Sequence, residues 1–441
     1  MHVHHQAHLP VVSGEPGATT PDPRNLCGSL LTPPEAKPME PLPAGHISPV
    51  RVLLVTGKGG VGKTSVAAAT ARRLARDGAR TLVLSTDPAH SLADALDHGI
   101  GPEPTEVAPG LHAEQLDAQQ RLAAQWTEIR GYLSTLLTAG GLDSLEAEEL
   151  TVVPGLEELF ALLDVQRHAE DGHYDAVVVD CAPTAETLRL LALPDALANY
   201  IDRGLAGGGR VARAVFERTG GVPLPGDDVL RAADRLQRRL RDVRARLLDT
   251  RHATVRLVTN AERVVVAETR RTHTALHLFG YHVDAVVVNR LLPEAVTDPW
   301  LEGWKRRQAE TLDEIHDGFA GVPVLTAPLL EEEAVGGTAL DRLGDALYAD
   351  LDPAGVLADG EPLSFSSLGG GVTRMRLALP FAAAEDVTVH TSDAELFVTV
   401  GGRTGRVAMP PSLIDRPVTA ARVRDEALEV DFAAAEPAAA S

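Results

Sequence analysis

Val50-Arg51-Val52-Leu53-Leu54-Val55-Thr56, followed at once by Gly57-Lys58-Gly59-Gly60-Val61-Gly62-Lys63-Thr64, decides how this chain is read. The first stretch is a near-continuous apolar run, which predicts a strand buried on both faces. The second matches G-x-x-x-x-G-K-[ST], and a helix is predicted to follow over Ser65–Asp77. Strand, glycine loop and helix are the context in which that motif cradles phosphate. The glycines at 57, 59, 60 and 62, with Val61 and Ser65, let backbone N–H groups wrap the β- and γ-phosphates, and the helix N-terminus adds its positive end. Lys63 is placed to reach the β/γ oxygens, and the Thr64 hydroxyl to ligate Mg²⁺.

Lys58 is not needed by the minimal motif. Of 41 basic residues only four are lysines (37, 58, 63 and 305), and two of them fall in this loop. A lysine at 58 marks the deviant P-loop class, in which it reaches the nucleotide of a partner subunit. That predicts a homodimer with ATP between the subunits. The bland alternative is a solvated loop lysine.

Outward from the loop, similar runs recur at Arg80–Thr86, Asp175–Asp180, Thr254–Thr259, Val283–Asn289 and Val322–Ala327, with helical stretches between them. Strands alternating with helices predict an α/β fold around a mainly parallel sheet. Asp180 ends one strand, where a carboxylate fits the role of holding the Mg²⁺ shell through water. Asp87 ends another. It can orient the attacking water, or cap a helix that starts at Pro88. Cys181 reads as a small buried residue in a turn, with a reactive thiol as the rival.

Two intervals exceed what a crossover needs, and helical inserts are expected over about 110–170 and 195–250. Leu122, Trp126, Ile129, Leu133, Leu136 and Leu137 recur at helical spacing in the first, before a second apolar helix near Leu156–Leu163. Val229, Leu236, Leu240, Val243 and Leu247 do so in the second. Such stripes are either core or the lining of a groove. The second also carries Arg231, Arg235, Arg238, Arg239, Arg241, Arg244 and Arg246, either a solvated face or a dock for an acidic partner.

Residues 1–48 are rich in proline and read as a disordered tail, with Met39 as an alternative start. The ATPase domain is expected over 49–352, a flexible linker over 353–372, a small β-sandwich over 373–433 and a tail over 434–441. Short strands with Gly, Pro and Asp turns carry the sandwich reading.

Composition excludes several classes. Acidic residues number 62 and the net charge is −21, which disfavours a nucleic-acid coat. No apolar run reaches membrane-spanning length and no secretory signal is evident, so a cytoplasmic protein without stable membrane insertion is expected. Two cysteines, Cys27 and Cys181, allow neither a disulfide scaffold nor a four-cysteine zinc site.

Lys58–Thr64 (KGGVGKT), Thr86–His90 (TDPAH), Asp180–Thr184 (DCAPT) running on to Leu188–Leu191, and Val288-Asn289 together resemble the arsenite-pump ATPase family. That family includes the cytosolic ATPase that targets tail-anchored membrane proteins. The resemblance covers about residues 50–350 in a single half. The C-terminal sandwich is similar to the small-heat-shock-like domain of a bacterial and plastid subgroup.

The resemblance implies that Asp87 polarises water in switch I, that Asp180 belongs to switch II and that Asn289 bonds adenine. The segment at Pro328-Leu329-Leu330 would flank the base. It implies a hydrophobic helical or unfolded client bound by the helical inserts, or a membrane pump subunit as partner. Departures matter too. The metalloid-binding cysteines and the zinc-binding C-x-x-C pair have no counterpart here, so no zinc is expected. Only four methionines occur, so a client groove must use leucine and valine.

Overall fold

The computed structural model describes residues 50–87, 91–116, 156–181, 227–392, 395–414 and 416–434. The opening strand, β1 (Arg51–Gly57), is buried at every position. It lies between two parallel neighbours, β5 (Ala176–Asp180) and β6 (Ala253–Asn260). This explains why its sequence is apolar throughout rather than alternating.

Eight strands form one sheet in the order β3-β4-β2-β5-β1-β6-β7-β8. β2 spans Thr81–Ser85, β3 Thr105–Ala108, β4 Leu111–Gln115, β7 Val283–Leu291 and β8 Val324–Pro328. All neighbours run parallel except β3 and β4 at one edge. Helices α1 (Lys63–Arg76), α2 (Ser91–Leu96), α3 (Leu156–Glu170), α4 (Asp227–Leu248), α5 (Arg263–Leu278), α6 (Pro299–Gly318) and α7 (Gly336–Tyr348) accompany it. One face is covered by Val66, Ala67 and Leu74 of α1 with Leu340, Leu343 and Leu347 of α7. The other is covered by Leu162, Leu163 and Val165 of α3, Leu240, Val243 and Leu247 of α4, and Ile315 of α6.

Two expectations need correction here. The first helical insert does not begin at 110, because Leu111–Gln115 is β4 and pairs with β2. Its sequence (LHAEQ) hides the strand, since it buries Glu114 and Gln115 as well as Leu111 and Ala113. Glu114 is accommodated by His168 of α3, whose Nε2 lies 2.6 Å from its Oε2. The expected linker over 353–372 also fails. It contains β9 (Leu363–Gly369), which pairs antiparallel with β10 (Val372–Ala378). Serine and glycine argue against a strand locally, but β10 supplies a ladder partner that local propensity does not register.

The apolar stripes divide as well. Leu163, Leu240, Val243 and Leu247 are core. The side chains of Leu156, Leu159, Phe160, Val229 and Leu236, the run Leu122–Leu137, the expected tails and Cys27 lie outside the described residues. On α4, Arg231, Arg235, Arg238, Arg239 and Arg241 are exposed.

The C-terminal region is antiparallel. A four-stranded sheet, β14-β15-β10-β9, faces a three-stranded one, β11-β12-β13. Here β11 is Val387–Ser392, β12 Glu395–Val400, β13 Arg403–Ala408, β14 Val418–Arg424 and β15 Ala427–Phe432. Met375, Leu377, Leu396, Val398, Val407, Leu428, Val430 and Phe432 fill the space between them, and Leu278 from the end of α5 joins that cluster.

Candidate active site

The loop between β1 and α1 is held by close packing at two glycines. A Cβ on Gly57 would meet the Val258 carbonyl oxygen at 2.2 Å. Gly62 caps α1 in the left-handed region at φ 94°, and a Cβ there would meet Asn289 Nδ2 at 2.3 Å. Only glycine serves both conditions at 62. Asn289 is itself buried at the end of β7; its Nδ2 donates to the Val61 carbonyl at 2.9 Å, and its Oδ1 accepts from Arg290 N–H at 2.9 Å.

Parallel register gathers the two aspartates beside this loop. Val55 of β1 lies opposite Asp180 of β5, and Ser85 of β2 lies opposite Asp180 on its other side. The carboxyl ends of three adjacent strands therefore carry the loop, Asp180 and Asp87. Lys63 is buried, with Nζ 3.5 Å from the Lys58 carbonyl oxygen. Thr64 Oγ1 and Ser91 Oγ are 3.2 Å apart. Asp87 is pinned through its backbone: its N–H donates to Ser85 Oγ at 3.2 Å, and its carbonyl accepts from Gln115 Nε2 at 2.8 Å.

Asp180 is fully buried. Desolvation pushes its carboxyl up to about 7, against the pull of the Thr64 hydroxyl and the Lys63 charge. Ser85 Oγ donates to its Oδ2 at 3.3 Å, while Oδ1 is buried without a hydrogen-bond partner among the described residues. A buried, unsatisfied carboxylate oxygen next to a threonine hydroxyl is a hard-oxygen donor set that suits Mg²⁺.

A cavity of about 780 Å³ runs from Gly59, Gly60, Gly62, Lys63, Thr64 and Ser65 past Asp87 and Ser91 to Asn289 and Pro328. Leu329, Leu330 and the run Glu331–Glu333 form its far wall. The polypeptide there is anchored where Leu329 N–H donates to the Leu291 carbonyl at 2.7 Å.

Of the residues expected at the site, Gly57, Val61 and Asp180 are not in the cavity lining, and neither is Lys58. Its Nζ lies 3.4 Å from Glu268 Oε2 on α5 of the same chain. Cys181 is buried, and burial with the adjacent Asp180 charge pushes its thiol far up, as an inert core cysteine requires. Sequence reasoning missed Ser91, Gln115 and Arg290. Gln115 was hidden with β4. Arg290 follows Asn289 with φ 61° and donates from Nη1 to the Gly60 carbonyl at 2.8 Å. Its only signal was adjacency to Asn289.

A glycine loop feeding a helix, an orphaned carboxylate beside the loop and a second carboxylate at the next strand end define a P-loop nucleotide hydrolase. The chain belongs to the anion-transporting ATPase family, which matches residues 50–349. Residues 370–432 match the HSP20-like domain found in ArsA. The chain is 39% identical over 395 residues to a putative arsenical pump-driving ATPase of Chlorobaculum tepidum, covering 87% of this chain and 96% of that one. A protein of Aquifex aeolicus with the corresponding description is 33% identical over 399 residues, covering 86% and 99%. ATPase GET3B of Arabidopsis thaliana is 32% identical over 320 residues, covering 67% and 78%. Among the described residues no helix is long and apolar enough to cross a membrane.

Proposed function

We propose that this ATPase works as a homodimeric switch that captures and releases a hydrophobic client segment as it binds and hydrolyses ATP. The observation that carries the reading is the HSP20-like region seated on α5, with Leu278 of the ATPase inside its core. A β-sandwich of chaperone type joined to a nucleotide-dependent sheet suits a holding function. Similarity to GET3B supports the same class of activity.

In this reading Lys63 neutralises the β/γ oxygens, and the loop N–H groups hold them in place. Asp87, held by Gln115 and Ser85, orients water toward the γ-phosphorus. Thr64 and Asp180 would hold Mg²⁺, which when bound withdraws charge from the phosphates. Asn289 and Pro328, which line the same cavity, would flank the base. Lys58 leaves Glu268 to reach the partner's nucleotide.

Two bacterial relatives are described as driving an arsenical pump, which favours a second reading as a pump engine. The burial of Cys181 weighs against metalloid activation through that thiol, because soft metalloids need an accessible thiolate.

The test is capture of a fluorescent apolar helical peptide by the Asp87→Asn variant. Peptide should be retained with ATP, released with ADP, and turnover should drop by about 10²-fold or more. Equal capture in both nucleotide states would sink the switch. Faster turnover on adding antimonite would move the protein to the pump reading.

A further inference from the structure

Lys58 and Glu268 are each about one-third exposed, and their charges meet at 3.4 Å on the rim of the phosphate loop. Glu268 is a fixed point. The next residue, Thr269, donates from its buried hydroxyl to Thr259 Oγ1 at 3.0 Å, tying α5 to the end of β6. Val265 and Val266 of the same helix are buried against the sheet. The far end of α5 is clamped too: Leu278 enters the C-terminal core, and the Thr274 hydroxyl donates to the Pro380 carbonyl. The lysine, in contrast, sits on a glycine loop with open space around Gly59 and Gly60. In this pair the helix beneath the carboxylate is anchored, and the lysine side chain has open space beside it into which it can swing.

We propose that Glu268 is the resting counter-ion and positioning residue of Lys58. It holds the ammonium over its own loop until a nucleotide from a second copy of the chain competes for it. This rests on the reading that Lys58 acts across a dimer. Phosphate is the stronger partner, since it offers several charged oxygens where the glutamate offers one carboxylate. A partly exposed ion pair is also weak enough to exchange. Glu268 thereby sets the nucleotide concentration at which two chains join, without touching the nucleotide of its own subunit.

The test is ATP-dependent dimerisation of the full chain, followed by sedimentation with a non-hydrolysable ATP analogue and Mg²⁺. Glu268→Gln removes the charge and keeps the shape. It should lower the nucleotide concentration at half-dimerisation by about two- to fivefold. Glu268→Asp should stay near the wild type, and Glu268→Gln should have no effect in a Lys58→Ala background. An unchanged or raised midpoint in Glu268→Gln, with a wild type that dimerises, overturns this inference alone. A Glu268→Asp midpoint that follows Gln also overturns it, because the effect would then be structural. A wild type that stays monomeric with nucleotide overturns the dimer reading beneath it.

Discussion

Asp180 concentrates the electrostatics of the site in one side chain. Its carboxyl is held near 7 by burial, whereas in the unfolded chain it titrates near its ordinary value. Between about pH 4 and 7 the native state therefore binds the extra proton. Stability contributed by this group is full at the acid end and is lost as pH rises through 7. Asp180→Asn should abolish turnover yet stabilise the nucleotide-free protein, by up to about 4 kcal/mol at pH 8 and much less at pH 5. Urea unfolding at the two pH values checks the prediction; equal gains would show that Asp180 carries no such load. The orphaned Oδ1 is the physical cause of this penalty and also the reason the residue suits a cation. A position that lowers apo stability in this way is what a binding site is expected to contain.

Among the elements, α5 does the most varied work. Its first half packs on β6 and presents Glu268 to Lys58, and its last turn enters the C-terminal sandwich. His273 stacks on Phe319 with centroids 5.4 Å apart, and Phe381 closes over both rings. Gly405 of β13 admits this helix end, since a Cβ there would meet the Leu278 carbonyl oxygen at 2.5 Å. Leu278→Ala should cost about 2–5 kcal/mol, and the loss should fall on the C-terminal region. Hydrogen exchange should then quicken in β10, β12 and β13 while β1 and β5 stay protected; uniform loss of protection would refute the local assignment. The alternation of strands and helical stretches placed a helix between β6 and β7 but said nothing of which residues meet the sandwich, because that contact joins segments about a hundred residues apart. β4 and β9 failed to be legible for a related reason. Their buried polar or serine-rich sequences become strands only because β2 and β10 offer ladders.

Across the whole molecule, the amino ends of the strands oppose the nucleotide site and carry a different chemistry. Asp284 is fully buried and meets two guanidiniums, Arg51 Nη2 at 3.2 Å and Arg256 Nε at 3.5 Å. Desolvation pushes the Arg51 guanidinium down to about 10. Arg51 Nε donates to the Ala354 carbonyl at 2.8 Å and Arg256 Nη2 to the Pro353 carbonyl at 2.7 Å. The segment that leads from α7 to β9 is thus strapped beneath the sheet. Asp284→Ala leaves two buried cations uncompensated and should destabilise the protein by about 3–5 kcal/mol, with ATP affinity unchanged in the fraction that folds. A lost affinity in the folded fraction would mean that the strap reaches the nucleotide site.

The amino-acid sequence by itself determined the phosphate loop, the parallel α/β class, the strand-end position of the aspartates at 87 and 180 and the antiparallel C-terminal region. Each of these rests on local chemistry: a glycine spacing, a run of buried aliphatics, a carboxylate at a strand end. Only the tertiary structure decided the strand order that brings Asp180 between Ser85 and Val55. It alone returned β4 and β9 to their sheets and turned Lys58 onto Glu268 of its own chain. These are contacts between residues far apart in sequence, and a local pattern carries no record of its distant partner.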